Sequence, residues 1–214
     1  MESNINILDY GAGNILSISR AFEYCGSNTK IIRTNENLKG VKNLIIPGVG
    51  SFPNAMTLLK SKGFYSEIIK LNKKKIPIMG ICLGMQILFE HGEEFGLNDG
   101  LGLIEGKVIK IPSNSNGQVR KIPNIGWETL IFNDKKLKFF EKGISPDVYF
   151  VHSYMAVPNN KSDIFASINY MGEDVIAAVE NENLFGCQFH PEKSGNAGMY
   201  FIKHFLSKIK NFKQ

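Results

Sequence analysis

The chain of 214 residues lacks the marks of several large protein classes. It has three cysteines, an odd number without zinc-ligand spacing, which argues against a disulfide framework and a structural metal site. No apolar run approaches the roughly 20 residues that span a bilayer. The apolar stretch after Met1–Asn4 is too short for a signal peptide. We therefore expect a cytoplasmic protein with free thiols, no bound metal and no membrane contact.

The positive charge is not arranged for binding nucleic acid. The net charge of +5 comes mostly from lysines, which collect in segments 73–75 and 135–136 and in the tail after residue 203. Clustered arginines with interleaved aromatic residues, the pattern typical of nucleic-acid binding, do not occur. We interpret the lysines as a solvated surface and expect no nucleic-acid partner. The length fits a single α/β domain over residues 1–214.

The order of apolar patterns predicts an α/β fold. In the first half, strand-like runs alternate with helical patterns; the runs are 5–8, 30–32, 43–46 and 76–81, and the helices are 14–24, 53–60, 64–73 and 83–90. The second half holds short strand-like runs divided by Pro, Gly and Asn, and then a closing helix over 197–210; the runs are 107–111, 126–132, 148–151, 164–170, 175–179 and 184–189. This order predicts a mostly parallel central sheet flanked by helices, with added antiparallel strands and a flavodoxin-like core.

A cysteine stands between two glycines where an apolar strand meets a helical pattern. The segment from Gly80 to Gly84 has the G-x-Nuc-x-G form of a nucleophile elbow, with Cys82 as the nucleophile. Side chains in place of the glycines would block this tight turn. The turn exposes the sulfur at the carboxyl edge of the sheet and aims the Leu83 N–H at the group attacked. The motif predicts covalent catalysis through a thioester.

A base and its orienting group follow a later apolar strand. His190 ends that strand, and Glu192 lies two residues on, where extended backbone places both side chains on one face. The carboxylate is then able to accept a hydrogen bond from the imidazole and hold its tautomer. Pro191 favours the extended geometry. The remaining histidines and cysteines are interpreted as structural when taken alone: His91, His152, His204, Cys25 and Cys187.

Two glycine-containing loops follow other strands. The loop Pro47–Gly50 ends strand 43–46 at the same sheet edge as Cys82, so its backbone N–H groups and that of Leu83 are candidates for an oxyanion hole. The loop 9–14 superficially resembles a dinucleotide-binding turn. Its third glycine is replaced by Leu16, and no acidic residue ends the second strand. We therefore expect no nicotinamide cofactor and, with no other cofactor motif, none at all.

Taken together, these motifs resemble those of class I (triad) glutamine amidotransferases and, within that family, the glutaminase subunits of imidazole glycerol phosphate synthases. The resemblance runs nearly from end to end. Its blocks are DYGAGN at 9–14, PGVGSF at 47–52, GICLGMQILFE at 80–90, GLGLIEGKV at 100–108, KIPNIGW at 121–127, YFVHSYMAVP at 149–158 and GCQFHPEKSG at 186–195.

The resemblance implies a complete reaction. Cys82 attacks the side-chain amide carbon of L-glutamine, His190 protonates the departing ammonia, and water then hydrolyses the glutamyl thioester with His190 as base. Glu192 orients His190, and the amides of Val49 and Leu83 form the oxyanion hole. Ammonia passes to a (β/α)₈ cyclase subunit in a heterodimer, which makes imidazole glycerol phosphate and an aminoimidazole carboxamide ribotide for histidine synthesis. The resemblance also implies that the Val49 amide turns inward only with the partner bound.

Further residues take their expected roles from the resemblance alone. The family's glutamine pocket matches Gly50, Gln86, His152, Ser153 and Tyr154. The surface that faces the cyclase matches Asn14, Trp127 and Lys193.

One departure from the family pattern leaves alternatives open. Asn124 occupies a position in the interface block where the family usually has histidine. A paralogous glutaminase that feeds a sugar amidotransferase is therefore the main alternative. A γ-glutamyl peptide hydrolase and a regulatory subunit with an inactive site are further alternatives, and the intact set Cys82, His190 and Glu192 argues against the last.

Overall fold

The computed structural model describes residues 4–115, 118–132, 140 and 143–211. The first half of the chain contains strands and helices in alternation: β1 (Ile5–Leu8), α1 (Ile15–Tyr24), β2 (Thr29–Ile32), α2 (Asn35–Leu38), β3 (Leu44–Ile46), α3 (Phe52–Ser61), α4 (Phe64–Lys73), β4 (Ile78–Ile81) and α5 (Leu83–Gln86). The second half is mainly strands: β5 (Phe89–Gly92), β6 (Asn98–Asp99), β7 (Ile104–Lys110), β8 (Asn114–Ser115), β9 (Gln118–Val119), β10 (Asn124–Thr129), β11 (Ile131–Phe132), β12 (Asp147–His152), β13 (Tyr154–Pro158), β14 (Ile164–Tyr170), β15 (Glu173–Asn181), β16 (Leu184–Cys187) and, last, the helix α6 (Gly195–Asn211).

The central sheet is parallel in its middle and antiparallel at one side. Among the described residues its order is β11-β14-β15-β16-β4-β3-β1-β2. Strands β2, β1, β3, β4 and β16 run parallel, in the 2-1-3-4-5 order of flavodoxin-like folds. Strands β15, β14 and β11 extend the sheet in antiparallel fashion. The predicted fold class, including its added antiparallel strands, is confirmed.

Smaller sheets pack beside the central one. Strands β13, β7, β5 and β6 form one of them, and β10 pairs with β12 in register from Asn124↔His152 to Thr129↔Asp147. The pair β10 and β12 is joined to the carboxyl edge of the central sheet. There the backbone N–H of His190, beyond the end of β16, donates to the carbonyl of Tyr149 in β12 at 2.9 Å.

The helix predicted over 83–90 is too long by one turn. It ends at Gln86, and residues 89–92 form β5 instead. The helix ends early because of a tertiary interaction: the carbonyls that would continue it accept hydrogen bonds from a distant segment of the chain. Leu101 N–H donates to the Ile87 carbonyl and Leu103 N–H to the Leu88 carbonyl, each at 2.8 Å. The local apolar pattern fits a helix, but N–H groups of the segment 100–104 occupy the carbonyls that a longer helix would use.

Both faces of the central sheet are covered by apolar packing. Alternate residues of one strand enter different core clusters, as shown by Leu44 and Ile46 on one face and Ile45 on the other. This two-sided burial is the reason that the parallel strands are almost continuously apolar. Within the described residues, no helix is long and apolar enough to cross a membrane.

The closing helix α6 is fixed to strand β15 by a partly buried carboxylate. Glu180 accepts from His204 Nε2 at 3.0 Å and from Lys208 Nζ at 2.6 Å. Burial alone would raise the pKa of Glu180, but these two donors outweigh it and lower the pKa to about 2. The carboxylate therefore stabilises the fold fully above its ordinary pKa of 4.5, and this contribution is lost as the pH falls from there towards 2.

We expect Glu180→Gln to lower the free energy of unfolding by about 1.5–3 kcal/mol at pH 7, the range for hydrogen bonds to charged groups. The difference from the unmutated protein should shrink as the pH falls below 4.5. Denaturant titrations across this pH range measure both effects. Glu36→Gln is the matched control, because Glu36 pairs with Lys39 on the exposed surface, where such pairs contribute little. Equal losses for both variants would contradict the role of Glu180.

Candidate active site

Three parallel strands deliver the candidate catalytic residues to one edge of the sheet. In the register of β3, β4 and β16, Gly80 lies between Ile46 and Gly186. The residues that follow the three strands are the loop 47–50, Cys82 and the segment 188–192. The structure therefore brings together the nucleophile, the base and the glycine loop, as the sequence predicts. Carboxyl ends of parallel strands are the usual place for sites in such folds.

The elbow at Cys82 is strained and closely packed. Cys82 has φ +54° and ψ −114°, outside the conformations that side chains usually adopt. Its N–H donates to the Cys187 carbonyl at 2.7 Å. A Cβ on Gly80 would lie 2.3 Å from the Gly84 carbonyl oxygen, and one on Gly84 would lie 1.8 Å from the Ile46 oxygen. Both glycines are required because backbone passes directly over them, which confirms the reason given for the motif.

The loop 47–50 packs on the elbow and on the loop 9–14. A Cβ on Gly48 would lie 2.8 Å from Gly84 N and 2.9 Å from the Tyr10 hydroxyl. A Cβ on Gly13 would lie 3.0 Å from the Pro47 ring. The loop 9–14 thus serves as a support for the candidate oxyanion loop. Val49 is 48% exposed, whereas Leu83 is buried in the elbow.

His190 and Glu192 form the expected pair by a different backbone route. His190 Nδ1 lies 2.8 Å from Glu192 Oε1, and both side chains are almost fully buried. Only His190 has extended dihedrals, and residues 191–193 form a 3₁₀ turn that brings the carboxylate back to the ring. The Ser194 hydroxyl donates to the His190 carbonyl at 2.6 Å and accepts from Tyr149 N–H at 2.9 Å. The predicted contact is therefore present, but a turn replaces the extended strand.

The imidazole of His190 is held in its charged form. Burial lowers its pKa, but interaction with Cys82 and the Glu192 carboxylate outweighs burial and raises the pKa well above the ordinary value. Nε2 has no partner within ordinary hydrogen-bond limits, so the sulfur acts on the ring through a longer contact. Such contacts often tighten only when substrate binds. The arrangement fits an imidazolium beside the Cys82 sulfur that is ready to donate a proton.

Two of the predicted pocket residues, Gln86 and His152, meet at the Tyr154 carbonyl. Gln86 Nε2 donates to the Tyr154 carbonyl at 3.1 Å and to Gln188 Oε1 at 2.9 Å. His152 Nδ1 lies 2.8 Å from the same Tyr154 carbonyl. Gly50 is exposed and has φ +101°. The Ser153 carbonyl accepts from the N–H of Ile111, the residue that follows β7, at 2.9 Å.

His152 is a neutral histidine whose tautomer can be assigned. Burial lowers its pKa to about 4, and the nearby charge of His190 adds to this effect. A carbonyl only accepts hydrogen bonds, so His152 Nδ1 carries the proton that points at Tyr154. Nε2 is then the acceptor for Asn124 Nδ2 at 3.4 Å. Asn124 is buried and 1% exposed, so the residue that departs from the family pattern contacts a pocket histidine instead of the outer face.

One site residue was missed in the sequence. Glu94 Oε2 accepts from the Phe52 N–H at 2.7 Å, where the loop 47–50 leads into helix α3. Burial raises the pKa of Tyr154, and the charge of Glu94 raises it further. No local signal marks Glu94, because it is one of several acidic residues in segment 90–94. Only the packing of β5 against α3 identifies it.

The three residues expected at a partner interface are exposed. Asn14 caps helix α1 by accepting from Ser17 N–H at 3.3 Å. Trp127 is 57% exposed, and Lys193 Nζ lies 5.8 Å from the ring centre of Tyr149.

Of the other thiols, Cys187 is fully buried and Cys25 is half-buried against Met199, in agreement with a structural role.

The Tyr10 hydroxyl is a buried group for which the described structure offers no hydrogen-bond partner. Its side chain is fully buried, and burial, together with the charge of Cys82, raises its pKa, so the hydroxyl stays protonated. An unpaired buried hydroxyl costs about 1–3 kcal/mol.

We expect Tyr10→Phe to raise the melting temperature by about 2–4 °C, the shift for about 1 kcal/mol in a chain of this size. Tyr170→Phe is the matched control with the opposite expected sign, because the Tyr170 hydroxyl donates to the Lys121 carbonyl at 2.5 Å. Scanning calorimetry measures both variants. A lower melting temperature for Tyr10→Phe would show that the hydroxyl has a stabilising partner.

Comparisons with known proteins agree with this geometry. The family model of glutamine amidotransferase class-I matches residues 6–209. Imidazole glycerol phosphate synthase subunit HisH 1 of Legionella pneumophila (strain Lens) is 40% identical, with 95% of this chain and 99% of that protein covered. Subunit HisH of Geobacillus thermodenitrificans (strain NG80-2) is 42% identical, with 96% of each covered.

Solved structures of low sequence identity share the fold. A structure described as a glutamine amidotransferase superposes with a TM-score of 0.74 at 21% identity, covering 96% of this chain and 98% of its own. PurLQS from Thermotoga maritima gives a TM-score of 0.71 at 24% identity, covering 97% and 99%. With the family model over nearly its whole length and relatives above 40% identity, the chain belongs to the class I glutamine amidotransferases.

Proposed function

We propose that this protein is the glutaminase subunit of imidazole glycerol phosphate synthase, acting as one domain. It hydrolyses L-glutamine and passes the ammonia to a cyclase subunit in histidine biosynthesis. The observation that carries the catalytic part is the convergence of Cys82, His190 and Glu192 at one sheet edge, with Nδ1 of the histidine 2.8 Å from the carboxylate. Full-length relatives that are named as subunits of this synthase support the choice of pathway and partner.

The geometry supports a two-step reaction. The Cys82 sulfur attacks the side-chain amide carbon, and the amides of Leu83 and Val49 stabilise the negative oxygen that forms. His190 gives its proton to the leaving nitrogen, and ammonia departs. His190 then removes a proton from water, which attacks the thioester and releases glutamate. The hydrogen bond from Nδ1 to Glu192 keeps Nε2 directed at the reacting groups throughout.

The pocket has groups that suit the polar end of glutamine. A free amino acid carries an ammonium and a carboxylate on its α-carbon. The Glu94 carboxylate, which accepts from Phe52 N–H where the loop 47–50 leads into α3, supplies a negative charge for the ammonium. The exposed backbone at Gly50 and the half-buried residues Ser153 and Tyr154 supply hydrogen-bonding groups for the carboxylate. We therefore add Glu94 to the proposed pocket residues Gly50, Gln86, His152, Ser153 and Tyr154.

The cyclase would dock on the outer face of strands β10 and β12. Cross-strand pairs Ile125↔Val151 and Trp127↔Tyr149 lie on this face. Ile125 and Trp127 are each 57% exposed, and the rings of Trp127 and Tyr149 meet edge to face at 6.0 Å. Exposed aromatic and aliphatic groups in one patch are typical of interaction surfaces. Strand β12 also binds the backbone of His190, so the proposed interface and the catalytic base share one strand.

The alternative of a sugar amidotransferase as partner loses its main support. That alternative rested on Asn124 as an altered residue of the contact surface. The side chain is buried against His152 and does not reach the outer face of β10. The substitution therefore bears on the glutamine pocket, and the outer face keeps the residues expected for the cyclase.

We expect Cys82→Ala to abolish glutamine-dependent synthesis, by at least about 10³-fold, because no nucleophile remains. Synthesis from ammonium salts by the complex with the cyclase should be unchanged, because ammonia then reaches the cyclase directly. Product formation from the ribonucleotide substrate is measured with each nitrogen source in turn. Equal loss with both sources would contradict ammonia donation by this subunit.

We also expect His190→Ala to lower turnover more than Glu192→Gln. The first removes the acid and base, for which a factor of about 10²–10⁴ is typical. The second leaves the imidazole in place, and the backbone of His190 is still held by the Tyr149 carbonyl and the Ser194 hydroxyl. Glutamate release by the complex with the cyclase is the measurement. A greater loss in Glu192→Gln would exclude a purely orienting role for the carboxylate.

A further inference from the structure

A second buried amide contacts the nucleophile. Gln188 is fully buried, and its Nε2 lies 3.7 Å from Cys82 Sγ, within the range of a hydrogen bond to sulfur. Gln188 directly follows β16, and its backbone N–H donates to the carbonyl of Ala177 in β15 at 2.8 Å, which fixes the backbone of the residue. The mechanism above gives Gln188 no role, although it lies two residues before the catalytic base.

The hydrogen-bond network determines which end of the Gln188 amide faces the sulfur. The Tyr154 carbonyl can only accept, so Gln86 must present its NH₂ group there. The same nitrogen of Gln86 lies 2.9 Å from the Gln188 side chain, which must therefore present its oxygen. The NH₂ group of Gln188 is then the end that points at Cys82. A donor in this position stabilises a thiolate much more than a neutral thiol, because hydrogen bonds to ionised groups are stronger.

We propose that Gln188 is a positioning residue that donates an N–H···S hydrogen bond to Cys82, holds the sulfur in the elbow and stabilises its thiolate form. Hydrogen bonds run from the carbonyl of Tyr154, at the pocket, through Gln86 and Gln188 to the sulfur. The nucleophile thereby has a stabilising donor other than His190, and this donor is independent of the protonation state of the histidine. The inference rests on the proposed role of Cys82 as the nucleophile.

The test measures how the alkylation of Cys82 by iodoacetamide depends on pH. The modified peptide is followed by mass spectrometry, in the full chain and without glutamine or cyclase. The other two thiols are poor competitors, since burial raises the pKa of both Cys25 and Cys187. The main variant is Gln188→Met, which is similar in size, uncharged and unable to donate. Asn183→Leu is the matched control, because it also replaces a buried amide with an apolar side chain, at a site bonded to Asn72 and Ile76.

We expect Gln188→Met to raise the pH midpoint of Cys82 alkylation by about 1–2 units, the equivalent of losing a charge-assisted hydrogen bond. Asn183→Leu should leave the midpoint unchanged while it lowers the melting temperature. Glutamine hydrolysis by the complex at neutral pH should fall about tenfold or more in Gln188→Met, with a smaller change in KM. An unchanged alkylation midpoint in Gln188→Met would overturn the proposal and reduce Gln188 to a packing residue.

A measurement on the unmutated chain covers the case in which Gln188→Met does not fold. The side-chain NH₂ resonances of Gln188 should shift at the pH at which Cys82 becomes reactive towards iodoacetamide, and they should shift again after alkylation. If the Gln188 resonances shift neither with pH nor after alkylation of Cys82, the proposal is overturned. A failure of the proposed glutaminase function is recognised separately, because it would leave the alkylation profile intact and abolish only glutamate release by the complex.

Discussion

The site depends on the parallel pairing of β4 with β16. The ladder continues past the strand ends, where Cys82 N–H donates to the Cys187 carbonyl at 2.7 Å. This bond ties the nucleophile to the strand that leads to His190. Residues held at positive φ cost of order 1–3 kcal/mol and persist only when the surroundings over-determine them. Here the ladder and the packing of Gly84 on the Ile46 carbonyl impose the conformation.

Polar groups around the elbow form a network with a defined direction. Carbonyl oxygens accept only, and this simple constraint assigns the tautomer of His152 and the orientations of the two glutamine amides. A buried network of this kind is stabilising only when each member is satisfied. Among the described residues, three buried atoms near the elbow have no partner: the Tyr10 hydroxyl, His190 Nε2 and Glu192 Oε2. The loop 47–50 packs closely around the Tyr10 hydroxyl.

Strand β12 joins the proposed partner surface to the catalytic base. Its outer residues Tyr149 and Val151 lie on the exposed face with Trp127 and Ile125. Its backbone at Tyr149 accepts from His190 N–H and donates to the Ser194 hydroxyl. A displacement of this strand on docking would therefore move the base relative to Cys82. The same strand also carries His152, so the proposed docking surface, a predicted pocket residue and the backbone contact to the candidate base lie on one short element.

The sequence alone determined the elements that depend on local pattern. Alternating apolar runs gave the parallel sheet, and glycines around Cys82 gave the elbow, because a tight turn excludes side chains there. The spacing of His190 and Glu192 predicted their contact, but the 3₁₀ turn that makes it was not predicted. Tertiary structure decided everything that depends on groups distant in the chain. It ended α5 early by supplying donors from segment 100–104, and it placed Asn124 against His152. It also brought Glu94 and Gln188 to the candidate site, since a single glutamate or glutamine carries no sequence signal until its partners are known.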